Sequence, residues 1–141
     1  MILFERMKRA IALRKDDVFL RVEFANMASV AQVSRALRRL MADGIIVKLG
    51  VGVYAKAKKS VLSGNPIPVR PLGVFAPQAL KKMGVELFVS PAVVEYNAGR
   101  TTQIPAGNVI NTGERRITRK LAFGQQRVTY ETNKKTPNRG D

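Results

Sequence analysis

Residues 29–58 read Ser29-Val30-Ala31-Gln32-Val33-Ser34-Arg35-Ala36-Leu37-Arg38-Arg39-Leu40-Met41-Ala42-Asp43-Gly44-Ile45-Ile46-Val47-Lys48-Leu49-Gly50-Val51-Gly52-Val53-Tyr54-Ala55-Lys56-Ala57-Lys58. Val30, Val33, Leu37, Leu40 and Met41 fall within about 100° of one another at 3.6 residues per turn, which predicts an amphipathic helix over residues 30–43. Ser29 is its candidate N-cap, and Gly44 its stop. Strands at 45–49 and 53–57 then flank Gly50-Val51-Gly52, a three-residue hairpin connection with glycine where positive φ is wanted. A capped helix, a glycine stop and a tight basic hairpin, in that order, form the second half of a winged helix-turn-helix.

The residues upstream supply the first half. Leu3, Phe4, Met7, Ala10 and Ile11 recur at helical spacing and predict a helix over 3–14. Asp16-Asp17 interrupts it. Val18-Phe19-Leu20 reads as a short strand, and 22–26 as a short helix carrying Phe24 inward. Asn26 and Ser29 are candidate caps around a Met27-Ala28 turn. Short turns separate all of these elements, as helix-turn-helix packing requires.

The 141-residue chain has 45% hydrophobic residues, enough for a buried core, and a net charge of +15. The charge divides almost evenly, +8 over residues 1–60 and +7 over residues 61–141, so the folded body itself is expected to be positive. Nucleic acid is the natural counter-surface, because phosphate contacts release counterions. An acidic membrane surface or an acidic protein is the lesser alternative. With no cysteine and no histidine, the chain has no disulfide, no zinc finger, no thiol nucleophile and no histidine acid–base chemistry. The first ten residues lack the apolar run of a signal peptide, and no stretch approaches membrane-spanning length. A soluble cytoplasmic protein is the expectation.

Beyond residue 60 the signal weakens. Residues 61–72, with Pro66, Pro68 and Pro71, read as a stiff extended connector. A small α+β domain is expected over 73–132. Its elements are a short helix from Pro77 to Gly84, a strand over 86–89, a short helix over 91–97, and strands over 108–111, 115–123 and 126–131. Thr112-Gly113-Glu114 and Gly124-Gln125 are the turns. Residues 133–141 are read as a disordered tail.

Position on the helix separates the basic residues by role. The N-terminal half of a recognition helix meets base edges, which makes Gln32 and Arg35, with Ala31 and Ser34, the candidate readers. Glutamine can bond adenine bidentately, and arginine guanine. Arg38 and Arg39 are candidate phosphate contacts, as are Lys48, Lys56 and Lys58 on the hairpin. Ser29 leaves first-turn backbone donors that can also take a phosphate. Tyr54 is read as core. The second cluster, Arg115, Arg116, Arg119 and Lys120, has two open readings: a second nucleic-acid surface, or a charged guard on a solvated edge strand.

In these residues the chain resembles the bacterial and phage-associated proteins grouped with AbiEi-type antitoxins of type IV toxin–antitoxin systems. Val18-Phe19, residues 33–40, Asp43-Gly44-Ile45-Ile46 and residues 49–54 carry the first part of the resemblance. Gln103-Ile104-Pro105-Ala106, Asn111-Thr112-Gly113, Arg115-Arg116-Ile117 and residues 124–128 carry the second. It spans roughly residues 5–132. The resemblance implies a winged helix that binds operator or promoter DNA and represses its own operon, with a C-terminal α/β domain tied to antitoxin action. It also implies opposition to a toxin without a tight complex between the two.

The expectation is thus a sequence-specific repressor without enzymatic activity, cofactor or metal, with dimers on inverted repeats a natural arrangement. An RNA-binding or ribosome-associated protein is the alternative, weakened by the absence of exposed aromatic pairs that stack unpaired bases. The enzyme alternative rests on Asp16-Asp17, the one close carboxylate pair.

Overall fold

The computed structural model describes residues 2–88, 99 and 108–132. It mixes helix and antiparallel sheet in an α+β arrangement. In chain order the first elements are α1 (Leu3–Leu13), β1 (Val18–Leu20), a 3-10 helix (Arg21–Phe24), α2 (Val30–Ala42), β2 (Ile46–Gly50) and β3 (Val53–Lys59). β4 (Pro66–Pro68), α3 (Leu72–Lys82), β5 (Val109–Asn111), β6 (Ala122–Phe123), β7 (Gln126–Arg127) and β8 (Thr129–Glu131) follow.

β3 is the spine of the sheet. Val53, Tyr54 and Ala55 pair with Leu20, Phe19 and Val18 on one side, and β2 pairs on the other, giving the order β1-β3-β2. Gly50 pairs directly with Val53, so the expected three-residue connection tightens to a Val51-Gly52 turn, with Gly52 at φ +72°. A register shift between Lys48 and Gly50 absorbs the difference.

Alternation along the strands loads both faces of the sheet. Phe19, Ile46 and Tyr54 turn toward α1 and α2, where they meet Phe4, Met7, Ile11, Phe24, Val33, Leu37 and Leu40. Phe19 is wholly buried there, and its truncation to alanine would cost about 3–5 kcal/mol. Val18, Val47, Leu49, Val53 and Ala55 turn the other way, against Leu72, Phe75, Ala76, Ala79 and Leu80 of α3. Val85, Ile110 and Leu121 complete that second cluster. The expected segments 1–60 and 73–132 therefore share one apolar core across the sheet.

Five expectations are corrected. The proline-rich connector contains a strand: β4 pairs antiparallel with residues 57–59 of β3, which the prolines tolerate because an edge strand leaves N–H positions unpaired. The helix expected to start at Pro77 starts at Leu72, with Pro71 as its N-cap and Pro77 inside. Pro77 removes one backbone donor, but the buried stripe Leu72, Phe75, Ala76, Ala79, Leu80 holds the helix together regardless. The strand expected over 115–123 is regular only at Ala122–Phe123, and that expected over 126–131 is interrupted at Val128. Val30, expected in the apolar stripe, is 77% exposed, because the first residue of α2 overhangs the end of the core.

In the second half β5 and β8 pair in parallel, and β6 and β7 form a hairpin through Gly124. Of the strand expected over 86–89, Phe88 makes a single bridge to Asn111. Val89, the helix expected over 91–97, the 103–106 block and the 133–141 tail lie outside the described residues.

A charge cluster closes the seam between α3 and β1. Lys82 Nζ donates to Glu23 at 3.0 Å and to the Val18 carbonyl at 2.8 Å, and also pairs with Asp16. Arg14 donates to Asp16 at 3.0 Å and pairs with Glu23. Among the described residues, no helix is long and apolar enough to cross a membrane.

Candidate nucleic-acid interface

The start of α2 is fixed three times over. The Gln32 N–H donates to Ser29 Oγ at 3.2 Å, and the Ser29 N–H donates back to Gln32 Oε1 at 3.1 Å, closing a capping box. Arg21 Nη2 donates to the Val30 carbonyl at 2.8 Å, holding the first turn against the preceding 3-10 helix. Nothing in the sequence around Arg21 marks it for this task.

The capping box changes what Gln32 can offer. Its amide oxygen is occupied by Ser29, and only its amide nitrogen remains for a ligand. Bidentate recognition of adenine needs both. Ala31, Arg35 and Arg38 are exposed on the face of α2 opposite the core, and Ser34 is half-buried beside them. Among the described residues, no hydrogen bond or ion pair engages Arg35 or Arg38.

Arg39 stands apart from its neighbours. Its guanidinium carbon lies 3.9 Å from the centroid of the Phe4 ring, a cation–π contact that directs it onto α1. Lys56 is also turned inward: Nζ donates to the Arg14 carbonyl at 2.8 Å and lies 3.6 Å from Asp17. Lys48 and Lys58 are exposed on the strands, and Tyr54 is buried. The expected group is thus only partly brought together. Ala31, Ser34, Arg35, Arg38, Lys48 and Lys58 are at the surface without a partner, among the described residues, that draws them into the fold, while Ser29, Gln32, Arg39 and Lys56 are engaged within it.

A groove of about 590 Å³ runs between the start of α2, at Val30 and Val33, and the hairpin tip. Val22, Val30 and Val51 line it and are 69%, 77% and 78% exposed. Sequence reasoning missed this apolar trio, because each valine alone resembles an ordinary core residue. Arg119 is at its edge and donates from Nη1 to the Val51 carbonyl at 2.8 Å. A second groove, of about 580 Å³, lies on the other side of Val51 and is lined by residues 115–120. The second basic cluster, distant in sequence, is therefore a spatial neighbour of the hairpin tip.

Asp16, Asp17 and Glu23 are engaged within the fold. The Arg14 hydrogen bond is the main influence on Asp16; burial opposes it, Lys82 reinforces it, and the carboxyl is held at about 2. Burial pushes the Glu23 carboxyl up, but the Leu20 N–H, Lys82 and Arg14 outweigh it, leaving it below the ordinary value. Asp16 and Asp17 face different cations rather than each other.

No family model, curated protein or solved structure matches the chain.

Proposed function

We propose that residues 1–60 are a winged helix-turn-helix and that the protein is a sequence-specific, duplex-DNA-binding repressor. One observation carries this reading. A capped helix, α2, presents exposed Arg35 and Arg38 away from the core and is followed at once by a hairpin in a sheet of order β1-β3-β2. The net charge of +15 supports a polyanionic partner.

In this reading α2 enters the major groove, where Arg35 bonds a guanine edge with Ala31 and Ser34 beside it. Arg38, Lys48 and Lys58 contact phosphates. The Val51-Gly52 tip lies over the adjoining backbone or minor groove. Gln32 and Arg39 shape the helix more than they read DNA, given their contacts with Ser29 and Phe4. The resemblance to AbiEi-type antitoxins extends the proposal to control of the protein's own operon in the cytoplasm, opposing a toxin without a tight complex. Two copies on an inverted repeat would double the short footprint of one winged helix.

Fluorescence anisotropy with a duplex from the gene's own upstream region, a scrambled duplex and a structured RNA tests this. Tighter binding to the upstream duplex at moderate salt supports it. Equal affinity for both duplexes ends the claim of specificity, and preference for the RNA ends the claim of DNA.

A further inference from the structure

We infer that residues 115–120 extend the same interface, so that one DNA duplex lies across α2, the hairpin tip and this second basic segment. The inference rests on the DNA-binding reading above. It deepens that reading by adding a surface from outside residues 1–60.

Three observations bring the segment to the hairpin. Arg119 Nη1 donates to the Val51 carbonyl at 2.8 Å, tying the segment to the tip. Val51, Met83 and Arg119 line both the groove at the start of α2 and the groove beside residues 115–120, so the two grooves are continuous at the hairpin tip. A Cβ placed on Gly50 would lie 2.5 Å from the Lys120 carbonyl oxygen, so the segment's backbone packs directly on the hairpin.

The segment has the chemistry of a phosphate track. Arg115, Arg116, Arg119 and Lys120 fall within six residues, and all four are exposed. Arg119 holds the hairpin, and Arg115 reaches the Gly84 carbonyl at 3.5 Å. Arg116 and Lys120 remain for a ligand. Fully extended, six residues reach at most about 20 Å, over half of the roughly 34 Å helical repeat of DNA. Residues 114–120 contain no aromatic side chain, so the segment has no platform on which unpaired bases could stack. A duplex backbone fits it better than a single strand.

The test measures the affinity of the full chain for a 30-base-pair random duplex across a sodium chloride series. Arg116→Gln with Lys120→Gln should lower the slope of log K against log salt by about 1.8, at about 0.9 for each phosphate no longer neutralised. Arg38→Gln serves as the internal reference and should lower it by about 0.9. If the double variant keeps the wild-type slope while Arg38→Gln lowers it, the inference is overturned and the winged-helix reading stands. If the wild-type chain binds no duplex, both are overturned. Tighter binding of an equal-length single strand that is lost in the double variant also overturns it, by assigning the segment to a different ligand. Thermal melting of each variant checks that these exposed substitutions leave the fold intact.

Discussion

The guanidinium of Arg39 lies over the ring of Phe4, 3.9 Å from its centroid, and so fastens the last turn of α2 to the first turn of α1. Arg39→Ala should destabilise the protein by about 1 kcal/mol, within the range of a partly exposed cation–π contact. Its neighbour Arg38, without such a partner, should lose less than about 0.5 kcal/mol on the same change. Urea unfolding followed by circular dichroism measures both. Equal losses would show that the Arg39–Phe4 pair contributes nothing in solution.

Arg35 offers the converse. Arg35→Ala should leave stability within about 0.5 kcal/mol of wild type, yet weaken binding to the preferred duplex by about 1–3 kcal/mol. Binding to random duplex should change much less, because a guanine edge exists at one base pair whereas a phosphate exists at every step. Lys48→Ala should weaken both alike. Competition binding with the two duplexes distinguishes reader from anchor.

Ser29→Ala removes the acceptor for the Gln32 N–H and half of the capping box. It should cost about 1 kcal/mol, seen as a lowered urea midpoint with an unchanged slope. Ser29→Asp, which keeps an acceptor at the positive end of the helix, should recover most of the loss.

Gly50 and Gly52 should fail for different reasons when changed to alanine. At Gly52, with φ +72°, the cost is backbone strain of about 1–2 kcal/mol, and Gly52→Asn should be milder than Gly52→Ala. At Gly50 the new Cβ would meet the Lys120 carbonyl oxygen and the Leu121 side chain, so asparagine should be no better than alanine. Thermal melts of the four variants test this contrast.

Acid should loosen the seam between α3 and β1. The Asp16 carboxyl is held at about 2 against an ordinary 3.8, chiefly by the Arg14 hydrogen bond. Because the folded value is depressed, its stabilisation is present above pH 3.8 and is lost as pH falls from there toward 2. The side chain is 36% exposed, so screening keeps its share to about 1 kcal/mol or less. Melting curves between pH 6 and pH 2 should converge for wild type and Asp16→Asn. Curves that stay equally separated down to pH 2 contradict the assignment.

Much of the first half was legible because its signals are local. The Ser29 cap, the Val33, Leu37, Leu40 spacing and the Gly44 stop all act within one or two turns of α2. The second half depends on distant partners. α3 extends five residues upstream of Pro77 because its buried stripe faces Val18 and Ala55 across the sheet, a relation no window along the chain contains. β4 was hidden by its prolines, whose edge position only the pairing with β3 reveals. The fates of Arg39 and Lys56 were equally concealed, because their partners Phe4 and Arg14 lie far along the chain. The engagement of Gln32 was not, since Ser29 and Gln32 stand at capping-box spacing.

Because α1 and α2 cover one face of the sheet and α3 covers the other, the order of synthesis matters. When residue 60 leaves the ribosome, all three strands β1, β2 and β3 have been made, but Val18, Val47, Leu49, Val53 and Ala55 still lack their cover. The nascent chain carries an open apolar sheet face until Leu72–Lys82 has followed, and such a face invites self-association. The helix that lies outside residues 1–60 is thus the cover for an apolar face that those residues make. A chain released before α3 should accumulate in inclusion bodies, not as a small soluble binder.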